Sequence, residues 1–210
     1  EQGKRILKEL VAKCDVVLEN FAPGVVARLG LDWETVRSLN PTVVMCSISA
    51  FGQTGPLASL PGFDYIAQAY AGVTDMIGDP DGAPSIPQLA LGDVGTGVHA
   101  ACSIGYALLH RERTGEGQYL DISLLDCYFH AHEANVELYS GTGGKVVPRR
   151  GGSHHYGIVP AGVFRSKEGY ILIIANLERH WDNLCGAIGR KDLVTEARFP
   201  NPKTRMHAKA

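Results

Sequence analysis

The chain has no apolar run long enough to cross a bilayer, no block of lysine or arginine, no Cys-x-x-Cys pair, and no repeat or low-complexity tract. The first absence excludes a membrane-spanning helix. The second, with a net charge of -2, leaves no electrostatic footing for nucleic acid or for an anionic membrane surface. The third removes the usual zinc and dithiol signatures. Cysteines are few, five in 210 residues, and odd in number. Four of Cys14, Cys46, Cys102, Cys127 and Cys185 sit in or beside apolar runs, which predicts buried free thiols in a reducing compartment, the cytoplasm by default. A signal peptide and an initiator methionine are absent too. The ends, "EQGKRILKELVAKC" and "FPNPKTRMHAKA", look cut through structure, so a fragment of a longer chain is expected.

What is present is an ordinary globular composition, 45% apolar and 20% charged. The first stretch is helical, with Ile6, Leu7, Leu10, Val11 and Cys14 on one face. Strands are predicted over 14–20, 42–52 and 119–125. Between them lie helical patterns over 24–41 (Asp32 capping the second half, Pro41 ending it), 62–73, 97–113 and 126–140. Strands alternating with helices imply a mainly parallel sheet, α/β in class. From residue 159 the rhythm changes to a hairpin around Lys167-Glu168-Gly169 and one more helix. We therefore expect a large domain over 1–145, a linker or mobile loop over 146–158, and the start of a smaller α+β domain over 159–210.

The stretch "QLALGDVGTGVHAA", residues 88–101, poses the functional question. It reads as an apolar strand ending at Gly92-Asp93, a turn at Gly95-Thr96-Gly97, and a helix starting at the second glycine. Gly95-x-Gly97-x-x-Ala100 matches a dinucleotide fingerprint, which would make the chain a nicotinamide-dependent oxidoreductase. Yet Asp93 would then repel the pyrophosphate. In the other reading, Asp93 is a carboxylate facing a helix N-terminus, whose dipole favours its anionic form, with glycines leaving room for an electrophile. A plain N-cap role for Asp93 stays open beside it.

Five motifs in series bear on the choice: "CDVVLENFAPGVVARLGL", "SISAFGQTGP", "PGFDYIAQAYAG", "ALGDVGTGVHAA" and "RTGEGQYLDISLLD". In that order they resemble the class III coenzyme A transferases (the CaiB/BaiF type), a superfamily that also contains α-methylacyl-CoA racemases. The resemblance runs from residue 5 to about 130 and more loosely beyond. It implies an incomplete Rossmann-like CoA-binding domain and an interlocked homodimer in the full-length protein. No cofactor would be permanently bound; coenzyme A and acyl-CoA are substrates, with small carboxylic acids as acceptors. It makes Asp93 the nucleophile that forms a mixed anhydride with the acyl group. Asn20 and Phe21 would line the pantetheine and nucleotide path, and Arg28 would reach a phosphate.

Asp64 falls where these transferases carry an acid beside the nucleophile, to orient it or move a proton, although a helix N-cap explains it equally. Gln68 is a hydrogen-bonding or packing residue of the same helix, and His99 a structural or hydrogen-bonding one. His130, Glu133 and Glu137 share a predicted helix face that reads as solvated rather than metal-binding, so no metal ligand is assigned. Phe63, Tyr65, Tyr70 and Met76 read as packing. Gly151 and Gly152, ahead of His154 and His155, stand where many family members carry a mobile glycine-rich loop. In the racemases a histidine precedes the acid of the "G-H-D" segment; here that position is Phe63, so a racemase would lack one of its two proton carriers. A truncated, non-catalytic CoA-binding module is the remaining alternative.

Overall fold

The computed structural model describes residues 1–201, 204 and 205. The chain divides into two compact units, residues 1–74 with 86–137, and 75–85 with 138–205 of the described residues. In the first, α1 (Gln2–Val11), β1 (Val16–Glu19), α2 (Val25–Arg28), α3 (Trp33–Leu39) and β2 (Val44–Ser49) are followed by α4 (Asp64–Tyr70), α5 (Leu91–Thr114), β3 (Gln118–Ser123) and α6 (Leu124–His130). α7 (Glu133–Gly141) leads into the second unit. The three strands form one parallel sheet in the order β1-β2-β3, Val17 opposite Met45 and Met45 opposite Tyr119. This is α/β architecture with an incomplete Rossmann-like sheet.

Strand β2 is the buried centre, as its run of Val, Met, Cys and Ile requires for a strand covered on both faces. On one face Met45 packs with Val11, Leu31, Val36 and Val43 under α1 and α3. On the other Ile48 meets Ala67, Leu124 and Tyr128 from α4 and α6. α1 joins the core only through its last turn. Of its predicted apolar face Val11 is buried, whereas Ile6, Leu7 and Leu10 are exposed.

Residues 24–41 break into two helices at Gly30, whose φ of 73° suits glycine and turns the chain. Asp32 then caps α3, accepting the Thr35 N–H at 3.0 Å and the Thr35 hydroxyl. These bonds hold its carboxyl below the usual carboxylate range. Asp32→Ala should therefore cost about 1 kcal/mol, read as a lower unfolding midpoint. A depressed folded pKa adds stability at neutral pH that is lost as pH falls through it, so the gap between the two proteins should shrink in acid.

Two further expectations of secondary structure are corrected. Residues 88–93 are not a strand with a following turn: α5 begins at Leu91 and runs without interruption through Gly95 and Gly97, neither of which has a positive φ. The predicted helix over 126–140 is split at residues 131–132, which places His130 on a different helix from Glu133 and Glu137. Among the described residues no group of three or more His, Cys, Asp or Glu side chains is placed to hold a metal ion. Of the cysteines, Cys46 and Cys185 are buried, Cys14 and Cys127 half-buried, and Cys102 exposed.

The second unit contains an antiparallel hairpin, β4 (Ala161–Ser166) and β5 (Gly169–Ile174), turning at Lys167-Glu168, and α8 (Glu178–Ala187). Trp181 on α8 lies beneath the Arg205 guanidinium, 4.9 Å from the ring centre, while Glu178 pairs with Arg205 at 3.0 Å. Arg150 binds the 75–85 loop through the Asp75 carboxylate and the carbonyls of Asp75, Asp79 and Gly82. No helix among the described residues is long and apolar enough to cross a membrane.

Candidate active site

The site is built on the N-terminus of α5. The residue preceding that helix, Ala90, has no side chain able to cap it. The N–H groups of Gly92 and Asp93, the second and third positions, are the ones a cap normally satisfies. Both donate instead to the Asp64 carboxylate, to Oδ2, at 3.1 and 3.0 Å. Asp64 is the first residue of α4, buried at 8% exposure, and its own helix receives no side-chain cap from Phe63. Asp64 thus caps α5, not α4. Its other oxygen accepts a short hydrogen bond from the Tyr128 hydroxyl on α6.

This arrangement answers the question raised by the glycines. The first N–H groups of α5, which a dinucleotide fold would aim at a pyrophosphate, are already committed to a protein carboxylate. Gly95 and Gly97 lie inside the helix rather than in a turn, so the fingerprint has no phosphate cradle. The glycine with a steric role is Gly92. A Cβ there would stand 2.4 Å from Tyr128 Cε2 and 2.7 Å from Asp64 Oδ1.

Asp93 lies on the opposite side of this turn, exposed, in the wall of a cleft of about 520 Å³. Asn20, Phe21 and Pro23 from the β1–α2 loop line it, with Ser49 at the end of β2, Phe51 after it, Phe63 before α4, and Thr96 and Gly97 on α5. The structure therefore brings Asn20, Phe21 and Asp93 into one cleft, with Asp64 behind it. Arg28 does not line the cleft. It ends α2, with Nη1 3.1 Å from the position a Cβ on Gly24 would take.

The Asp93 carboxyl is raised above its usual range, first by partial desolvation and then by the neighbouring Asp64 charge. The helix dipole would favour the opposite shift, but Asp64 takes the first N–H groups and adds a like charge beside them. The result is a more basic carboxylate facing open space. His99 is remote from this chemistry: nine residues into α5, it contacts the Gly95 carbonyl at 2.8 Å and packs edge-on against His130.

Sequence reasoning misses four residues here. Phe63 is not packed but 81% exposed at the cleft mouth. Ser49 is buried and its hydroxyl has no protein partner among the described residues. Thr96, on the cleft wall, faces the Cys127 thiol. Tyr128 is buried against Asp64 and is the least predictable, being 64 residues away from it in the chain.

Fold and site together define a parallel α/β protein with a carboxylate of raised pKa in the wall of a largely apolar cleft. The chain belongs to CoA-transferase family III, which it matches over residues 1–210. It is 36% identical over 98% of its length to the succinate–glutarate CoA-transferase of Agrobacterium fabrum, covering 51% of that protein. It is 38% identical to the acetyl-CoA:oxalate CoA-transferase of Acetobacter aceti, covering 98% of this chain and 53% of the relative. A solved CAIB/BAIF family protein from Brucella suis superposes with a TM-score of 0.83 at 33% identity, over 100% of this chain and 55% of that one. The chain spans about half the length of the relatives it matches.

Proposed function

We propose that the protein containing this chain is a CoA transferase that moves coenzyme A from an acyl-CoA donor to a small carboxylic acid, with Asp93 as the covalent nucleophile. One observation carries the reading: a carboxylate with a raised pKa stands exposed in a largely apolar cleft while the Gly92 and Asp93 N–H groups of its helix N-terminus are engaged by Asp64. A more basic carboxylate is a better nucleophile once ionised.

In the first step an Asp93 oxygen bonds to the thioester carbonyl carbon, the C–S bond breaks, and its electron pair leaves with CoA as thiolate. The acceptor carboxylate then attacks the Asp93 carbonyl carbon of the mixed anhydride and displaces the donor acid. Thiolate takes up the acceptor's acyl group from the second anhydride, and the Asp93 carboxylate is regenerated. No net proton moves, and acyl activation passes from thioester to anhydride and back. Asn20 and Phe21 would hold the pantetheine arm along the cleft, and the exposed Phe63 would help exclude water from the anhydride. Arg28, outside the cleft, would reach a nucleotide phosphate beyond its mouth. Asp64 orients the nucleophile by fixing the turn that carries it; buried and engaged on both oxygens, it is badly placed to pass protons.

No permanently bound cofactor is required by this chemistry. In the whole protein we place the enzyme in the cytoplasm as an interlocked homodimer. The apolar surface that α5 leaves uncovered, with Val94 at 66% and Tyr106 at 70% exposure, supports a further covering surface there.

The test separates transfer from racemisation, which needs two acid–base groups flanking the α-carbon. Phe63 cannot be the second. A 2-methylacyl-CoA incubated with the whole protein in deuterated water should pass its CoA to succinate or a similar acid and gain no α-deuterium above background. Rapid α-exchange without transfer would replace this reading by the racemase one.

A further inference from the structure

Tyr128 has more hydrogen bonds than packing alone would require. Its ring is buried at 4% exposure among Ala67 and Leu124, a place where phenylalanine would fit at no cost in polar burial. Its hydroxyl accepts the Gly92 N–H at 2.9 Å and the Gln68 Nε2–H at 3.1 Å, and donates its single proton to Asp64 Oδ1. Gln68 is itself fully buried and is held in turn by the Thr74 hydroxyl at 3.0 Å on its amide oxygen. The donor direction is therefore set: Gln68 gives its amide proton to the phenol, and the phenol gives its own to Asp64. The chain leaves a glycine at position 92, where any Cβ would collide with this ring, so that the phenol can reach the first turn of α5.

The consequence for Asp93 is electrostatic. Asp64 is the charged neighbour that acts on Asp93, and the two are joined through the Asp93 N–H. From α6 the titratable group in the network is Tyr128; α5 contributes none between Asp93 and His99; and the cleft wall has no charged side chain besides Asp93 among the described residues. How strongly Asp93 feels Asp64 thus depends on how well donors compensate the Asp64 charge. Three do so: the N–H groups of Gly92 and Asp93, which are backbone, and the Tyr128 hydroxyl, which is a side chain. Hydrogen bonds to an ionised carboxylate are the strong ones.

We propose that Tyr128 is a positioning residue for the reaction at Asp93: its hydroxyl proton locks the Asp64 carboxylate against the first turn of α5 and screens that charge from the nucleophile. The proposal rests on Asp93 being the nucleophile, but its physical content is tested without turnover. The Asp93 carboxyl is titrated by 13C NMR in the whole protein labelled at aspartate Cγ, with Asp93→Asn used to assign the resonance. Tyr128→Phe removes one donor from Asp64 and should move the Asp93 titration up by about 0.5–1 pH unit; Asp64→Asn removes the charge and should move it down. In transfer assays the acid limb of the kcat profile should follow the same two directions, with KM for acyl-CoA unchanged in Tyr128→Phe, because Tyr128 is not on the cleft wall.

A purely structural tyrosine would lower kcat without moving the titration. An unmoved Asp93 in folded Tyr128→Phe overturns the proposal whatever happens to the rate. Should Tyr128→Phe fail to fold, 3-fluorotyrosine at position 128 keeps the ring and makes a stronger donor. It should move the Asp93 titration down, and no movement overturns the proposal equally. Full transfer activity in Asp93→Asn would refute the nucleophile assignment separately, leaving the titration result intact.

Discussion

Asp93→Asn is expected to lose acyl exchange by at least about 10³-fold, the scale on which removing a covalent nucleophile acts, while CoA binding stays within a few-fold. The amide has the same shape, and it lies on a wall whose proposed CoA-binding residues, Asn20 and Phe21, come from another segment. Loss of rate should come with a gain in stability. A carboxyl whose pKa is raised by folding opposes folding when ionised, so the penalty is present above that pKa and absent in acid. Asn removes it, and the variant should melt higher than the parent at neutral pH and converge with it at low pH. Sites that trade stability for reactivity behave this way. Trapping supplies the chemical evidence: whole protein incubated with acyl-CoA and hydroxylamine should carry a hydroxamate at Asp93, found by peptide mass. Near-parental turnover in Asp93→Asn, or a hydroxamate at another carboxylate, would remove the assignment.

The second large effect is expected at Gly92. Alanine there puts a methyl group 2.4 Å from Tyr128 Cε2, 2.9 Å from Tyr128 Cζ and 2.7 Å from Asp64 Oδ1. Neither neighbour has room to retreat, since the ring is buried and the carboxylate is held by the Gly92 and Asp93 N–H groups and the phenol. Overpacking and the broken network together should cost about 2–4 kcal/mol. Because Asp93 rides on the displaced turn, the rate should fall by about 10²-fold or more. Gly95 is the control. A Cβ there meets nothing within 4 Å and φ is helical, so Gly95→Ala should stabilise α5 by about 0.5–1 kcal/mol in this chain. A phosphate-cradling glycine motif demands the reverse order, with Gly95 intolerant and Gly92 indifferent. That order in thermal melts and activity would overturn the site described here.

The parts of the fold that sequence makes legible are those whose cause is local. The strand over 42–52 is apolar and β-branched, Asp32 stands three residues before the Thr35 that it caps, and Lys167-Glu168-Gly169 sits between two runs of alternating residues. The errors fall where the cause is distant. Gly92 to Gly97 read as a strand end and turn because glycines disfavour helix and Ala90 offers no cap. Those residues are helical because a carboxylate 28 residues earlier satisfies the N–H groups that the local sequence leaves open. Partial desolvation, and then the Asp64 charge that this bond holds nearby, reverses the expected shift at Asp93.

What this sequence determined alone is the chemistry available: an ordered series of motifs, a carboxylate among glycines at 93, an acid at 64, a phenylalanine where a proton carrier would be needed at 63. These are properties of residue identity and order, which no fold alters. What only the tertiary structure decided is which of these groups meet. Burial of β2 on both faces brings α4, α5 and α6 together on one side of the sheet, and there Asp64, Gly92 and Tyr128 share hydrogen bonds across 64 residues of chain. Hydrogen bonding and desolvation depend on distance in space, not along the chain. Asp93 is therefore an ordinary aspartate as a letter, and a basic one only in the folded protein.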